Sequence, residues 1–334
     1  MKKINWTNGV VIAAALAITL SSCKEDESVK NAADTDGISI QLNAPAANGR
    51  RSAATPEKAA RVYVLDGKDT VYRQSLVKAT DRIAFHGAPD KLYSLVVKAD
   101  AFRKVVKTFT LAALRNELKG RVLNINLEPA LTFVTNGQDE IQISLGATDA
   151  DLSIDWGDGS PIEVTNCGCY LTHLYDGPGY YFVSVTGDLN DIESLGFYYS
   201  YGNLADITLD HVPNLLNFGN AFAISPTYID FSNNSLLQTL ELSASKTRYV
   251  TVPVDNDLLN VRMFLDSGFS AASLNNVIHR VYMASLAENR TGGQMYLSQQ
   301  PFGSVFIAPI SNTAKDELRV LRDSLAWEVW PDQF

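Results

Sequence analysis

Basic clusters, catalytic signatures and long apolar runs are scarce in this chain. The 28 Lys and Arg are outnumbered by 37 Asp and Glu, a formal net charge of −9. That balance, with no long basic run, argues against nucleic acid as the main partner. The apolar stretch at 10–20 (VVIAAALAITL) has eleven residues. A membrane-spanning helix takes about 20. There is no G-x-S-x-G, no G-x-x-x-x-G-K-[ST] and no H-E-x-x-H, so no serine elbow, phosphate loop or zinc-protease helix is announced. The four histidines, His86, His173, His211 and His279, fall in different segments. Asp155 and Asp158 flank a Gly-rich turn that accounts for them, and no dense acidic ladder suggests calcium. These absences predict a protein that is not an enzyme and needs no metal or cofactor. A hydrolase without a recognisable signature is the least favoured reading.

What is present is ordinary globular composition, 46% apolar and 19% charged, over 334 residues. This excludes a fully disordered chain and a polytopic membrane protein, and the length suits about two or three domains. The N-terminus carries an address. Lys2 and Lys3 precede the apolar stretch, and Leu20-Ser21-Ser22-Cys23 follows it. Small residues before a Cys at this place resemble the lipobox of bacterial lipoproteins. The resemblance implies a signal peptide at 1–22 and acylation of Cys23, which starts the mature chain. Several acyl chains make a stable anchor where one does not. An ordinary secretory signal with an incidental Cys is the alternative. Lys24-Glu25-Asp26-Glu27 opens a polar tether at 23–37. An acidic run in that position resembles the surface-export signal of Bacteroidetes lipoproteins, which implies display outside the outer membrane. A solvated tether is compatible with the same residues.

Only Cys167 and Cys169 remain beside Cys23. With Gly168 between them they read as free thiols or as a tight disulfide. Together with His173 they suggest three metal ligands, but the usual second ligand pair is missing. Residues 38–129 alternate at 38–42, 61–65, 92–97, 105–111 and 122–127, with turn residues between, and predict an antiparallel β-sandwich. The small-residue loop at 43–58 holds Arg50-Arg51, a plausible protease site. Fimbrial lipoproteins are processed in such loops, but the C-terminal half is unlike theirs.

Residues 130–187 carry Trp156-Gly157-Asp158-Gly159, then His173, Tyr175, Gly179, Tyr181 and Val183. The set resembles the PKD domain, an immunoglobulin-like sandwich, with Trp where many members have Phe. The resemblance implies a spacer or adhesive unit, with His173 and Tyr175 packed near the turn that the glycines permit.

Residues 188–270 repeat. Ile192, Leu215, Leu236 and Leu258 are 23, 21 and 22 residues apart. Ile207, Phe218, Ile229, Leu240, Val250 and Val261 are spaced by 11, 11, 11, 10 and 11. The longer period, with Leu and Asn at regular slots, resembles leucine-rich repeats, and the half-units imply a small β-solenoid with strands on two faces. If Ile207, Ile229 and Val250 point inward, Thr208, Asp230 and Thr251 line one outer face. Glu241 and Arg262 line the opposite face. Residues 271–334 read as an α/β cap. One helix carries Leu274, Val277, Ile278, Val281 and Leu286, and a second, 313–325, carries Leu318, Leu321 and Leu325. The helix–strand–helix–strand ending, with a terminal Trp, resembles the cap of Bacteroidetes surface repeat proteins. Tyr198, Tyr199 and Tyr201 form an aromatic cluster that suits either core packing or a ligand.

The expected fold class is mainly β: tandem immunoglobulin-like sandwiches, then a short leucine-rich-repeat-like solenoid with its cap. The expected role is recognition or adhesion at the cell surface, with a glycan or protein ligand bound through Tyr198, Tyr199, Tyr201, Thr208, Asp230 or Thr251. A spacer or assembly component of an outer-membrane complex is the alternative.

Overall fold

The computed structural model describes residues 38–43, 60–76, 82–118, 122–136, 138–166, 168–197, 203–220, 226–265, 268–299 and 306–332. Among the described residues strands dominate, and three α-helices and a short 3-10 turn at Leu189–Asp191 accompany them. Alternating residues at the start give β1 (Ile38–Asn43), β2 (Ala60–Asp66), β3 (Asp69–Leu76), β4 (Arg82–Phe85), β5 (Leu92–Ala99) and β6 (Val105–Thr110). Helix α1 (Leu111–Glu117) and β7 (Val122–Asn126) follow. The order β3-β2-β5-β6 makes one sheet and β4-β1-β7 a second. Between them lie Leu42, Val62, Val64, Leu95, Val97 and Ile125. Phe85 meets Tyr93 edge-on at 5.0 Å.

Two features depart from the expected antiparallel layout. Strand β1 is parallel to β7, which needs a long crossover, and the chain that builds the four-stranded sheet β3-β2-β5-β6 supplies most of it. The alternation at 105–111 also ends early. Thr110 Oγ1 accepts the Ala113 amide at 3.1 Å, so Leu111 opens α1 rather than closing a strand. Leu111 and Leu114 are still buried, now from a helix.

The chain then forms β8 (Leu131–Asn136), β9 (Gln138–Ala147), β10 (Leu152–Asp155), β11 (Glu163–Thr165), β12 (Cys169–Gly179) and β13 (Phe182–Gly187). It continues as β14 (Ile192–Phe197), β15 (Asn203–Thr208), β16 (Asn217–Asn220), β17 (Tyr228–Asp230), β18 (Thr239–Ser245), β19 (Tyr249–Thr251) and β20 (Asn260–Leu265). Last come α2 (Ala271–Glu288), β21 (Gln294–Gln299), α3 (Asn312–Ser324) and β22 (Glu328–Trp330). One sheet runs β12-β9-β14-β16-β18-β20-β21-β22, and its neighbours from β14 onward are all parallel. A second runs β11-β10-β13-β8-β15. Strands β14 and β15 therefore extend both sheets of 130–187 into the coils that follow, and side chains from Leu131 to Val329 belong to one core.

Parallel register stacks Leu195, Phe218, Leu240, Val261, Met295 and Val329 as one buried row. Opposite them, Ile207, Ile229 and Val250 are buried from β15, β17 and β19. Further on, α2 takes that side with Leu274, Val277, Ile278 and Val281, and α3 with Leu318 and Leu321. Leu286 is exposed and does not join the α2 stripe. A helix rises about 1.5 Å per residue against about 3.3 Å for a strand, so a helical coil needs more chain to cross the same width. The step between row members is 34 residues from Val261 to Met295 and 34 from Met295 to Val329, and shorter before.

The third coil corrects the sequence alignment by one residue. Leu237, not Leu236, occupies the inward slot that Leu215 and Leu258 fill. The side chain of Asn234 causes the shift. It is buried and donates to the carbonyls of Val212 at 2.8 Å and Leu209 at 3.3 Å, in the preceding coil. Asn256 does similar work for Pro253 and Arg280. Buried carbonyls at coil corners need such donors. Ile38–Phe334 packs as one compact unit. Its two cores meet where the Ala130 amide donates to Ala101 at 2.9 Å and Phe102 lies edge-on to His211 at 5.4 Å.

Candidate ligand-binding face

The chemically densest cluster sits at the Trp156 turn. Asp155 Oδ1 accepts the Gly157 amide and Asp158 Oδ1 the Ser160 amide, both at 2.9 Å. Gly157 has φ +87, and any Cβ there would overlap the Phe182 carbonyl. The turn carries Trp156 inward, where its indole N–H donates to Glu163 at 2.9 Å. His173 comes across from β12 and stacks on Trp156 with ring centroids 4.7 Å apart and planes 8° apart. Its Nε2 lies 2.8 Å from Asp158 Oδ2. Tyr175 donates to the Trp156 carbonyl at 3.3 Å and stacks on Tyr181. The indole N–H, the Tyr175 hydroxyl and both turn carboxylates have structural partners, and His173 Nε2 is committed to Asp158. Burial raises the Tyr175 phenol above its usual range, and the Asp158 charge adds to it.

Burial pushes the Asp158 carboxyl up, but hydrogen bonds from Ser160 and His173 outweigh it and hold the pKa at about 2. A carboxylate held low stabilises the fold above its ordinary value near pH 4 and loses that contribution as pH falls toward about 2. Urea midpoints are therefore expected to fall over that window, and Asp158→Asn to flatten the fall. An unchanged acid limb in Asp158→Asn would remove this turn from the account.

The second arrangement is a face. Strands β17 and β19 pair in parallel with Tyr228 beside Tyr249 and Asp230 beside Thr251. Strand β15 runs alongside β17. Ile207, Ile229 and Val250 point inward, so by alternation Thr208, Asp230 and Thr251 share the outer side, and all three are half-buried. The two tyrosines stand on that same side at 46% and 50% exposure. Tyr228 Oη lies 3.0 Å from Thr251 Oγ1, which tilts its ring across the strand pair. Asp230 Oδ1 accepts the Ser232 amide at 3.0 Å and is also bonded by the Ser232 hydroxyl. Burial raises the Tyr228 phenol, as do the Asp230 and Asp210 charges, against an opposing hydrogen bond from Thr251. The result is two ring faces flanked by oriented carboxylate and hydroxyl groups.

Across the core, the outer side of the eight-stranded sheet holds Glu241 beside Arg262, and Arg262 beside Tyr296. There the polar groups bind one another. Arg262 donates to Gln294 at 2.9 Å, Gln294 to Glu328 at 3.1 Å, and the Arg262 guanidinium sits 5.6 Å from the Tyr296 ring centre. That network leaves less for a ligand than the Tyr228–Tyr249 side.

Of the residues singled out from sequence, Thr208, Asp230 and Thr251 are brought together. Cys23, the Arg50-Arg51 pair, Cys167, the Cys169 side chain, Tyr198, Tyr199 and Tyr201 lie outside the described residues. Tyr228 and Tyr249 were missed, although each stands two positions before Asp230 or Thr251 and so shares their face. No family model, no curated protein and no solved structure matches the chain. Among the described residues, no helix is long and apolar enough to cross a membrane.

Proposed function

We propose that this chain is a non-catalytic, lipid-anchored surface protein that captures a glycan on the face of β15, β17 and β19. The observation that carries the reading is the pair of half-exposed tyrosines held in register beside Asp230 and Thr251. Aromatic faces stack against the apolar faces of sugar rings, while short polar groups fix the hydroxyls. In this reading the fold is an immunoglobulin-like sandwich module, then a second one continuous with a leucine-rich-repeat-like solenoid. The buried rows repeating every 21–23 residues between Leu195 and Val261 support the solenoid. The N-terminal Cys23 and its acidic tether support anchoring and outward display.

The test is a glycan and host-protein binding screen on residues 38–334, with Tyr228→Ala and Tyr249→Ala alongside. The expected result is a glycan signal that each variant weakens about tenfold or more, equivalent to about 1.4 kcal/mol. Both rings are half exposed, so thermal stability should change little. A screen with no glycan signal overturns the reading. The competing role, assembly with other proteins, draws support from an exposed apolar strand edge elsewhere on the molecule.

A further inference from the structure

Strand β12 is one edge of the eight-stranded sheet and, among the described residues, pairs only with β9. Natural sheets guard such edges with charge, proline, brevity or bulges. The far edge of this sheet obeys that rule. Strand β22 has three residues, includes Glu328, and is followed at once by Pro331. Edge strand β11 is also three residues, with Glu163 in it and Pro161 just before. Strand β12 is different. Over 169–175 (CYLTHLY) it carries no Lys, Arg, Asp, Glu or Pro, and its guards, Asp176, Pro178 and an irregularity between Leu174 and Gly179, are confined to its far end. Its outward side shows Tyr170 at 74% and Leu174 at 71% exposure, with Thr172 exposed between them. Its inward side is held by Leu171, His173 and Tyr175 in the core and the Trp156 turn, so the edge is a rigid one.

We propose that β12 is a self-association edge, where two copies of this chain pair antiparallel about a two-fold axis at Thr172. A two-fold contact must be self-complementary, residue i meeting j and j meeting i. The axis at Thr172 puts Tyr170 opposite Leu174 of the second copy, twice, and Thr172 opposite itself. Aromatic–aliphatic and Thr–Thr pairs are favourable across strands. It also sets Asp176 opposite Gly168, away from any like charge. Moving the axis to His173 places Tyr170 against Asp176, and moving it to Leu171 places Leu174 against Gly168. The chain carries a net charge of −9, so two copies repel, and residues 169–175 add no formal acidic charge to that repulsion. A contact of one short strand pair falls below the area of stable complexes, about 1,200 Å² in total, so the association is weak and reversible.

Sedimentation velocity of residues 38–334 across a wide concentration range tests this. The expected result is a monomer–dimer equilibrium that Tyr170→Lys with Leu174→Lys weakens at least tenfold, with circular dichroism unchanged. In a Cys167→Ser, Cys169→Ser background, Thr172→Cys should give a disulfide-linked dimer on mild oxidation. Leu174→Cys, which faces Tyr170 instead, should give far less. A monomer at every concentration overturns the proposal, as does a dimer indifferent to the lysines or cross-linking equally at both cysteines. Glycan binding is read separately, so either proposal can fail without the other.

Discussion

Trp156→Ala is expected to lower the unfolding free energy by about 3–5 kcal/mol. The side chain is fully buried and is among the largest in the core. Its removal leaves a cavity in the core, strips Glu163 of its indole donor, and takes away the ring on which His173 stacks. The structure also predicts how far the damage is felt. Leu131 to Val329 form one core, and the eight-stranded sheet runs unbroken from 130–187 through the coils while β15 carries the other sheet into the first of them. Trp327, buried near the other end, should therefore report the same shift in urea midpoint as circular dichroism does. A Trp327 signal that keeps its wild-type midpoint would mean that the turn and the far coils unfold independently.

Leu237→Ala is expected to cost about 2–5 kcal/mol, and its neighbour Leu236→Ala well under about 1 kcal/mol. Leu237 has no exposed surface and Leu236 is 40% exposed. The contrast tests the coil register directly, because a one-residue slip would exchange the two side chains. Urea denaturation of the two variants decides it. Equal losses, or a larger loss for Leu236→Ala, would contradict the register in which Leu195, Phe218, Leu240 and Val261 form one row.

Much of this was legible in the sequence because it rests on periodicity. Spacing by 11 identified Ile207, Ile229 and Val250 as inward, and so gave Thr208, Asp230 and Thr251 a common face. Tyr228 and Tyr249 needed one more step of the same rule, and the denser aromatic run at 197–201 drew the eye instead. The register at Leu236 was misread because the coils were aligned by residue type, and Asn234 sits one position earlier in its coil than that alignment assumes. What decides its place is the carbonyls it reaches, at Leu209 and Val212. Helix α1 was missed because Leu111 continues the alternation of β6, and a single capping hydroxyl at Thr110 ends it. Continuity of the two sheets past Gly187 was not legible, since β8–β15 and β9–β14 pairing joins residues distant in sequence. The uncharged stretch of β12 was written in 169–175, but only strand order places it at a sheet edge.

The most direct test of the central claim is a titration of the best glycan from the screen against three forms of residues 38–334. These are the wild type, a Tyr228→Ala, Tyr249→Ala double variant, and Trp330→Ala on the opposite face. The account predicts binding lost in the double variant and kept in Trp330→Ala. Binding kept in the double variant, or lost in Trp330→Ala alone, would contradict it.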